Sequence, residues 1–337
     1  MSARGAARHH RRVAAPRRAR GIAFVLVLWV IAMLSIILGS FSVVARTENL
    51  QSRHLFDTTQ ARYAAEAGLN LAVYELRKSD PLQRWVGDGR PYRFGYGDAE
   101  IEVSVTDDSG KVDLNAVCAT SASTLGAGNA STGNASAGSA AMGLGILVNL
   151  FVAQGMALEQ AQALGAAVSD WCDPDDETQL NGAEINEYKA AGLAYGPKNA
   201  PFDTVSELQQ VLGMNYTLFE KIEPSLTIYS GRSSPSAGFA DLGTLAAMYP
   251  DVPQDQLQQL IQQRQSLAPG DMSGAGLTLP DGTPLVAGGG GLTYSVKSRA
   301  KLPNGASTTL DATIRMGGVS TTGRPYSILR WRDGETS

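Results

Sequence analysis

At 337 residues, 43% of them hydrophobic and 18% charged, the chain is long enough to bury one or two cores. Its net charge of −4 hides an asymmetry: seven of the 28 Lys and Arg precede residue 21 with no acid among them, which leaves 21 bases against 32 acids, or −11, for the rest. That excess argues against nucleic acid as a partner. The three histidines (His9, His10 and His54) all fall early, so the remainder of the chain lacks histidine triads, histidine general bases and histidine-ligated metals.

In chain order, an arginine-rich leader is followed by Ile22–Ala45, 24 residues without a charge. As a helix this run is roughly 36 Å long, enough to cross a hydrocarbon core of about 30 Å. The arginines should keep residues 1–20 cytoplasmic and send the rest outward. A cleaved secretory signal fits poorly, because its apolar region is only about 7–15 residues. A twin-arginine signal has nothing beyond paired arginines to support it. A plain signal anchor remains open.

No proline occurs from Ile22 until Pro81, and Arg46–Lys78 carries a small-residue stripe: Ala61, Ala64, Ala65, Gly68, Leu71 and Ala72. Those intervals mark one helical face, so the spacing predicts one continuous helix of about 85 Å, apolar first and amphipathic after. Basic leader, Gly21 and this two-part helix together resemble a type IV pilin-like prepilin, processed after Gly21 to expose Ile22. Most of that family carry Glu at the fifth mature position, where this chain has Leu26. In the family that Glu pairs with the amine of the previously added subunit. The first subunit of a filament has no such amine, and an unpartnered buried carboxylate is costly. The type II secretion minor pseudopilin called protein K is similar in lacking it.

Beyond Pro81, Val86–Arg90 is turn-rich and Glu100–Thr106 alternates as a strand. Asp108–Gly110 reads as a turn and Lys111–Asn115 as another short strand. Residues 119–143, nearly all small and polar, read as a disordered loop. From Leu144 the texture turns helical: two helices broken at Gly155-Met156, an acidic turn, a short helix, a helix capped by Thr204 or Ser206, and a last one closed by Pro224. Asp241–Ser266 supplies one or two more. Residues 267–292 are a Pro- and Gly-rich return, whose Gly288–Gly291 run lacks the Lys-Ser/Thr of a phosphate loop. Alternation resumes at Thr309–Arg315 and Tyr326–Trp331, with Asn304-Gly305 as a turn.

The stretch from Asp170 is similar to protein K in order and composition: Asp170-Trp171, the acidic loop, Gly182-Ala183-Glu184, Pro201-Phe202, Val205–Leu208, Gly213-Met214 and Leu226-Thr227. The resemblance implies an α+β, pilin-like fold, with a long N-terminal transmembrane and amphipathic helix packed on an antiparallel sheet and an α-helical domain inserted. Its parts would be a leader (1–21), a membrane helix (22–45), the stalk and first strands (46–118), the loop (119–143), the helical domain (144–280) and closing strands (281–337). It further implies a non-catalytic subunit at the tip of the type II secretion pseudopilus, supporting its initiation and protein export. The chain would span the inner membrane once, N-terminus cytoplasmic and globular part periplasmic. Its partners would be proteins I and J and a prepilin peptidase that cuts after Gly21 and methylates the new amine, with neither nucleic acid nor a small-molecule substrate. Three readings compete. The helix-hairpin-helix flavour of Pro201–Met214 suggests a membrane-tethered DNA-uptake receptor, the helix also suits a minor pilin of a type IV pilus, and a tethered calcium-dependent hydrolase lacks any nucleophile motif.

Five of the eight residues Asp170–Glu177 are acids, a density of hard oxygen ligands that suits calcium. Counted from Asp173, Asp175 is third, Glu177 fifth and Glu184 twelfth, a partial echo of an EF-hand in which Thr178 stands where glycine is needed. Charge alone equally allows a solvated acidic loop. The resemblance, whose members bind calcium in this domain, implies a structural calcium at Asp173, Asp175, Glu177 and Glu184. Cys118 and Cys172, the only cysteines, can bridge in an oxidising compartment if geometry brings them together.

Overall fold

The computed structural model describes residues 20–118, 133–268, 276–286, 290–317 and 325–336, with residues 20–21, 133–140 and 335–336 as backbone only. Most of the leader, positions 119–132 of the small-residue loop and parts of the Gly-rich return lie outside the described residues. Helix α1 (Arg20–Leu76) is followed by strands β1 (Asp88–Tyr96), β2 (Ala99–Asp107) and β3 (Val112–Asp113) and helices α2 (Leu114–Cys118), α3 (Gly133–Ala153), α4 (Leu158–Cys172), α5 (Ile185–Ala190) and α6 (Tyr216–Ile222). Then come β4 (Leu226–Thr227), α7 (Leu242–Met248), α8 (Gln254–Ser266), β5 (Thr293–Lys301), β6 (Ser307–Met316) and β7 (Tyr326–Thr336).

The chain divides into two bodies, one ending at Asp57 and one starting at Thr58. The first holds the uncharged half of α1, where every residue from Ile22 to Ala45 is exposed. Among the described residues this is the one helix long and apolar enough to cross a membrane.

In the second body β1-β2-β5-β6-β7 form one antiparallel sheet. Its inner face, Ile101, Val103, Val105, Val296, Ala300, Leu310, Ala312 and Ile314, buries against Ala61, Ala64, Ala65, Leu69, Ala72 and Val73 of α1. Leu71, expected in the stripe, sits half-buried at its edge, and the larger Leu69 and Val73 flank the small residues instead. Small side chains let the helix backbone approach the sheet closely. A Cβ at Gly68 would overlap Ser298 Oγ and come within 2.9 Å of Ile101 Cγ2 and 3.0 Å of Val103 Cγ2. Gly68→Leu should therefore cost about 3 kcal/mol, the upper end of ordinary overpacking. At about 2–4 °C per kcal/mol for a body of this size, thermal melts should show a loss of roughly 6–12 °C. An unchanged melting temperature would mean that helix and sheet do not touch here.

Between β2 and β5 the chain builds the helical block, so the expected insertion is present but begins at Asp108, well before residue 144. Two expectations are refined here. The short strand expected at Lys111–Asn115 is present as Val112–Asp113, but it lies outside the five-stranded sheet, pairing in parallel with Leu226 and Thr227, and the chain turns at once into α2. Asp113 causes that turn by accepting the Asn115 (2.9 Å) and Ala116 (3.2 Å) N–H groups. Helix α3 starts at Gly133, inside the stretch read as loop, because its Ala-rich run favours helix once Leu147, Leu150 and Phe151 are anchored in the core. A third expectation, turn-rich Val86–Arg90, is also revised: Asp88–Arg90 open β1, with the irregularity absorbed between Asp88 and Pro91.

The main helical core gathers Leu147, Leu150, Phe151, Leu164, Val168, Trp171, Tyr188 and Ile222, and a smaller one surrounds Leu245, Leu257 and Leu285. Asn215 caps α6 by accepting the Leu218 N–H (2.9 Å), and Asp241 caps α7 through Thr244 (2.8 Å). The helix expected at Thr204 is a 3-10 turn, Val205–Gln210, with Glu207 Oε1 reaching back to the Thr204 N–H at 3.0 Å. Between β5 and β6, Gly305 takes φ +95°, as the Asn-Gly turn requires.

Candidate functional site

The acidic loop joins α4 to α5. Helix α4 is amphipathic and drives Trp171 into an aromatic wall with Tyr188 (6.3 Å between centroids) and Phe202 (6.4 Å). That packing carries the polar residues beside Trp171 into the interior: Asp170 is fully buried and Asp173, capping the helix, nearly so. Glu184, at the N-terminus of α5, is buried too.

Asp170 Oδ2 accepts the Ala183 N–H at 2.8 Å and the Gln179 N–H at 3.3 Å. A Cβ at Gly182 would overlap the Asp170 carboxylate, so only glycine lets the loop close over it. Asp173 Oδ2 accepts from Gln179 Nε2 at 3.2 Å, while its Oδ1 has no partner among the described residues. Among the described residues, both Glu184 oxygens are buried without a hydrogen-bond partner, as is Asn199 Oδ1. Asn199, at φ +50°, ties the loop by donating to Asp175 O and Asp176 Oδ1, each at 2.9 Å.

The electrostatics follow from burying like charges together. Burial, then repulsion from Asp170, Asp173, Asp176 and Asp175, pushes Glu184 up to about 7. Burial and the neighbouring Asp173 and Asp175 push Asp170 up to about 6 despite its backbone donors. Asp173 is raised for the same first reason, burial, with Asp175 adding to it.

Of the four expected ligands, the structure brings Asp173 and Glu184 into one buried group. Asp175 borders it, half-buried, with Oδ1 accepting the Glu177 N–H at 2.9 Å. Glu177 is exposed. The residue left out of the expected set is Asp170, which anchors the group. A signal was available, since Asp170 lies three residues after Ala167 on the buried side of α4, but periodicity alone says nothing of a carboxylate's use. Among the described residues no three His, Cys, Asp or Glu stand in ready metal-ligating geometry. The donor chemistry nonetheless fits a hard cation: buried carboxylates of raised pKa and oxygens with no hydrogen bond.

Beside the loop, Cys172 is bridged to Cys118, with Cα atoms 5.7 Å apart. The bridge fastens α2 to the end of α4. Asn115 adds a second fastening, donating to Phe202 O at 3.0 Å and accepting the Phe202 N–H at 2.7 Å. At the other end of the chain, the Gly21–Ile22 bond lies in the first turn of α1, and Leu26 is exposed four residues on.

Residues 110–231, which hold this loop and bridge, match the family model described as type II secretion system (T2SS), protein K. Type II secretion system protein K of Klebsiella pneumoniae is 29% identical over 216 residues, covering 61% of this chain and 62% of the relative. Those of Pectobacterium carotovorum (26% over 215 residues, 61% and 62%) and Dickeya chrysanthemi (26% over 241 residues, 63% and 66%) are similar. The chain thus aligns with about 62% of the length of the first two relatives. A solved GspK-GspI-GspJ complex from the enterotoxigenic Escherichia coli Type 2 Secretion System shares the fold, with a TM-score of 0.51 at 19% identity over 86% of this chain and 99% of that one. The long helix, the antiparallel sheet and the inserted helical block therefore form an α+β fold of the kind expected, and residues 110–231 are similar to the type II secretion system protein K family.

Proposed function

We propose that the chain is a minor pseudopilin of a type II secretion system, a non-catalytic subunit that caps the pseudopilus tip and supports protein export. The observation that carries this reading is the joining of three features in one chain. An uncharged helix continues into a small-residue stripe packed on an antiparallel sheet, and the segment similar to protein K lies between that sheet's strands. Such a helix anchors the chain in the inner membrane by a single pass, and the leader arginines set its N-terminus in the cytoplasm. By likeness to the GspK-GspI-GspJ complex, proteins I and J are its partners. Prepilin peptidase would cut after Gly21 and methylate the amine of Ile22.

Asp170, Asp173 and Glu184, with Asp175 at the border, would hold a structural calcium. When bound, calcium supplies the positive charge that lets buried carboxylates stay ionised. A DNA-uptake role is less favoured, because Lys198, the lysine nearest the Pro201–Met214 stretch, is held by Asp203 (2.7 Å) and Glu207 (2.9 Å).

Processing and placement test the proposal together. Sequencing of membrane-extracted protein should begin at Ile22, and a start at Met1 or Arg46 would exclude the prepilin reading. Cysteines placed on the amphipathic half of α1 should crosslink to partner pseudopilins on one axial side only. Crosslinks on both sides would remove the tip assignment while leaving the family intact.

A further inference from the structure

The outer face of the sheet holds a row of cations that form no ion pair among the described residues. Lys297, Arg299 and Lys301 alternate along β5, all exposed on the face opposite α1. Alternate residues on a strand lie about 6.8 Å apart, so the row is about 14 Å long. Among the described residues none of the three makes an ion pair. Glu102, opposite Arg299, is taken by Arg93 at 2.6 Å, and Asp311, opposite Lys297, is shared by Arg330 (3.2 Å) and Arg332 (3.5 Å). Only Glu100, opposite Lys301, is left unpaired beside them among the described residues. The Thr293 end of the same face is covered by the helical block, where Ser295 Oγ bonds Asp108 at 2.7 Å and Lys111 at 2.7 Å. The Lys297–Lys301 end is open.

Lysines commonly guard sheet edges, but β5 is the central strand. Three like charges in one row there repel one another without protecting an edge, and because Arg93, Arg330 and Arg332 engage Glu102 and Asp311 the face stays basic, on a chain that carries −11 after residue 21. We infer that this row is a docking site for an acidic helix of a partner protein. The row is one strand wide, and its cross-strand neighbours are the neutral Ser104, Ser307 and Thr309 together with Glu100 and the already engaged Glu102 and Asp311. That shape suits a line of carboxylates better than a plane of lipid headgroups. Carboxylates four residues apart on a helix are about 6 Å apart, close to the spacing of the row. The inference rests on the sheet alone and does not depend on the secretion reading.

The test uses the full chain in non-ionic detergent and a labelled helical peptide with Glu at every fourth position, beside its Gln twin. The Glu peptide should bind, and more weakly as salt rises. Lys297→Gln/Arg299→Gln/Lys301→Gln should weaken binding at least tenfold, whereas Lys189→Gln/Lys221→Gln, which removes two exposed lysines elsewhere, should leave it unchanged. The leader arginines are common to all variants and cancel in the comparison. If the triple variant fails to melt cooperatively, Arg299→Gln alone should still weaken binding severalfold. Equal binding by wild type and variant, equal binding of the Gln twin, or no binding at all would overturn the inference. So would anionic vesicles being retained through these three residues while the peptide is not.

Discussion

Chelation of divalent cations should lower the melting temperature of the detergent-solubilised chain by roughly 5–10 °C relative to calcium at a hundred times its Kd. Binding to the folded state alone at that excess is worth about 2.7 kcal/mol, and a body of this size shifts by about 2–4 °C per kcal/mol. The sign of the pH dependence is set by the carboxylates themselves. Asp170 and Glu184 are raised to about 6 and about 7, so the folded chain holds protons that the unfolded chain, with ordinary carboxylates near about 4, has lost. Stability without calcium should therefore fall as pH rises from about 4 through about 7. Calcium should flatten that slope by favouring the charged forms, releasing protons as it binds. Glu184→Gln separates the two effects, since it removes one repelling charge and one ligand together. The variant should melt higher than wild type in EDTA at pH 7.5 and should lose most of the gain from calcium. Identical melting with calcium and with EDTA, at both pH 5 and pH 7.5, would mean that the group is satisfied by protonation and holds no ion.

Loss of the Cys118–Cys172 bridge should be the most damaging single covalent change. The cysteines are 54 residues apart, and closing a loop of that length constrains the unfolded chain by about 4 kcal/mol. Cys118→Ala/Cys172→Ala should lower the melting temperature by roughly 8–16 °C. Because Cys172 immediately precedes Asp173, the calcium gain should also shrink in this variant, a non-additivity expected of neighbouring sites that share backbone. A thiol assay on the denatured, unreduced chain should find no free cysteine. Two reactive thiols per chain would remove the bridge and this prediction with it.

Much of this architecture was legible in linear order. An uncharged run of 24 residues can be little else than a long apolar helix, and Ala61, Ala64, Ala65 and Gly68 mark by their spacing the face on which something must pack closely. Alternation in Glu100–Thr106 and Thr309–Arg315 marked the inner face of the sheet, because a strand has only two faces. The helical insertion was visible as a change of period between those strands. Tertiary structure alone decided the remainder. Asp88–Arg90 carry turn residues, yet they open a strand because Asp88 pairs with Thr106 of β2, while Gly89 and Arg90 form the irregularity before Pro91. Asp113 turns the chain into α2, and Val112 pairs with Leu226 across more than a hundred residues, a contact no local pattern encodes. Within the acidic loop, five carboxylates look alike in sequence. Trp171 packing on Tyr188 and Phe202 buries Asp170 and Asp173 beside Glu184, while Glu177 stays in solvent. Charge density along the chain thus located the site, but membership in it was set by which carboxylates the folding of distant apolar residues carried out of water.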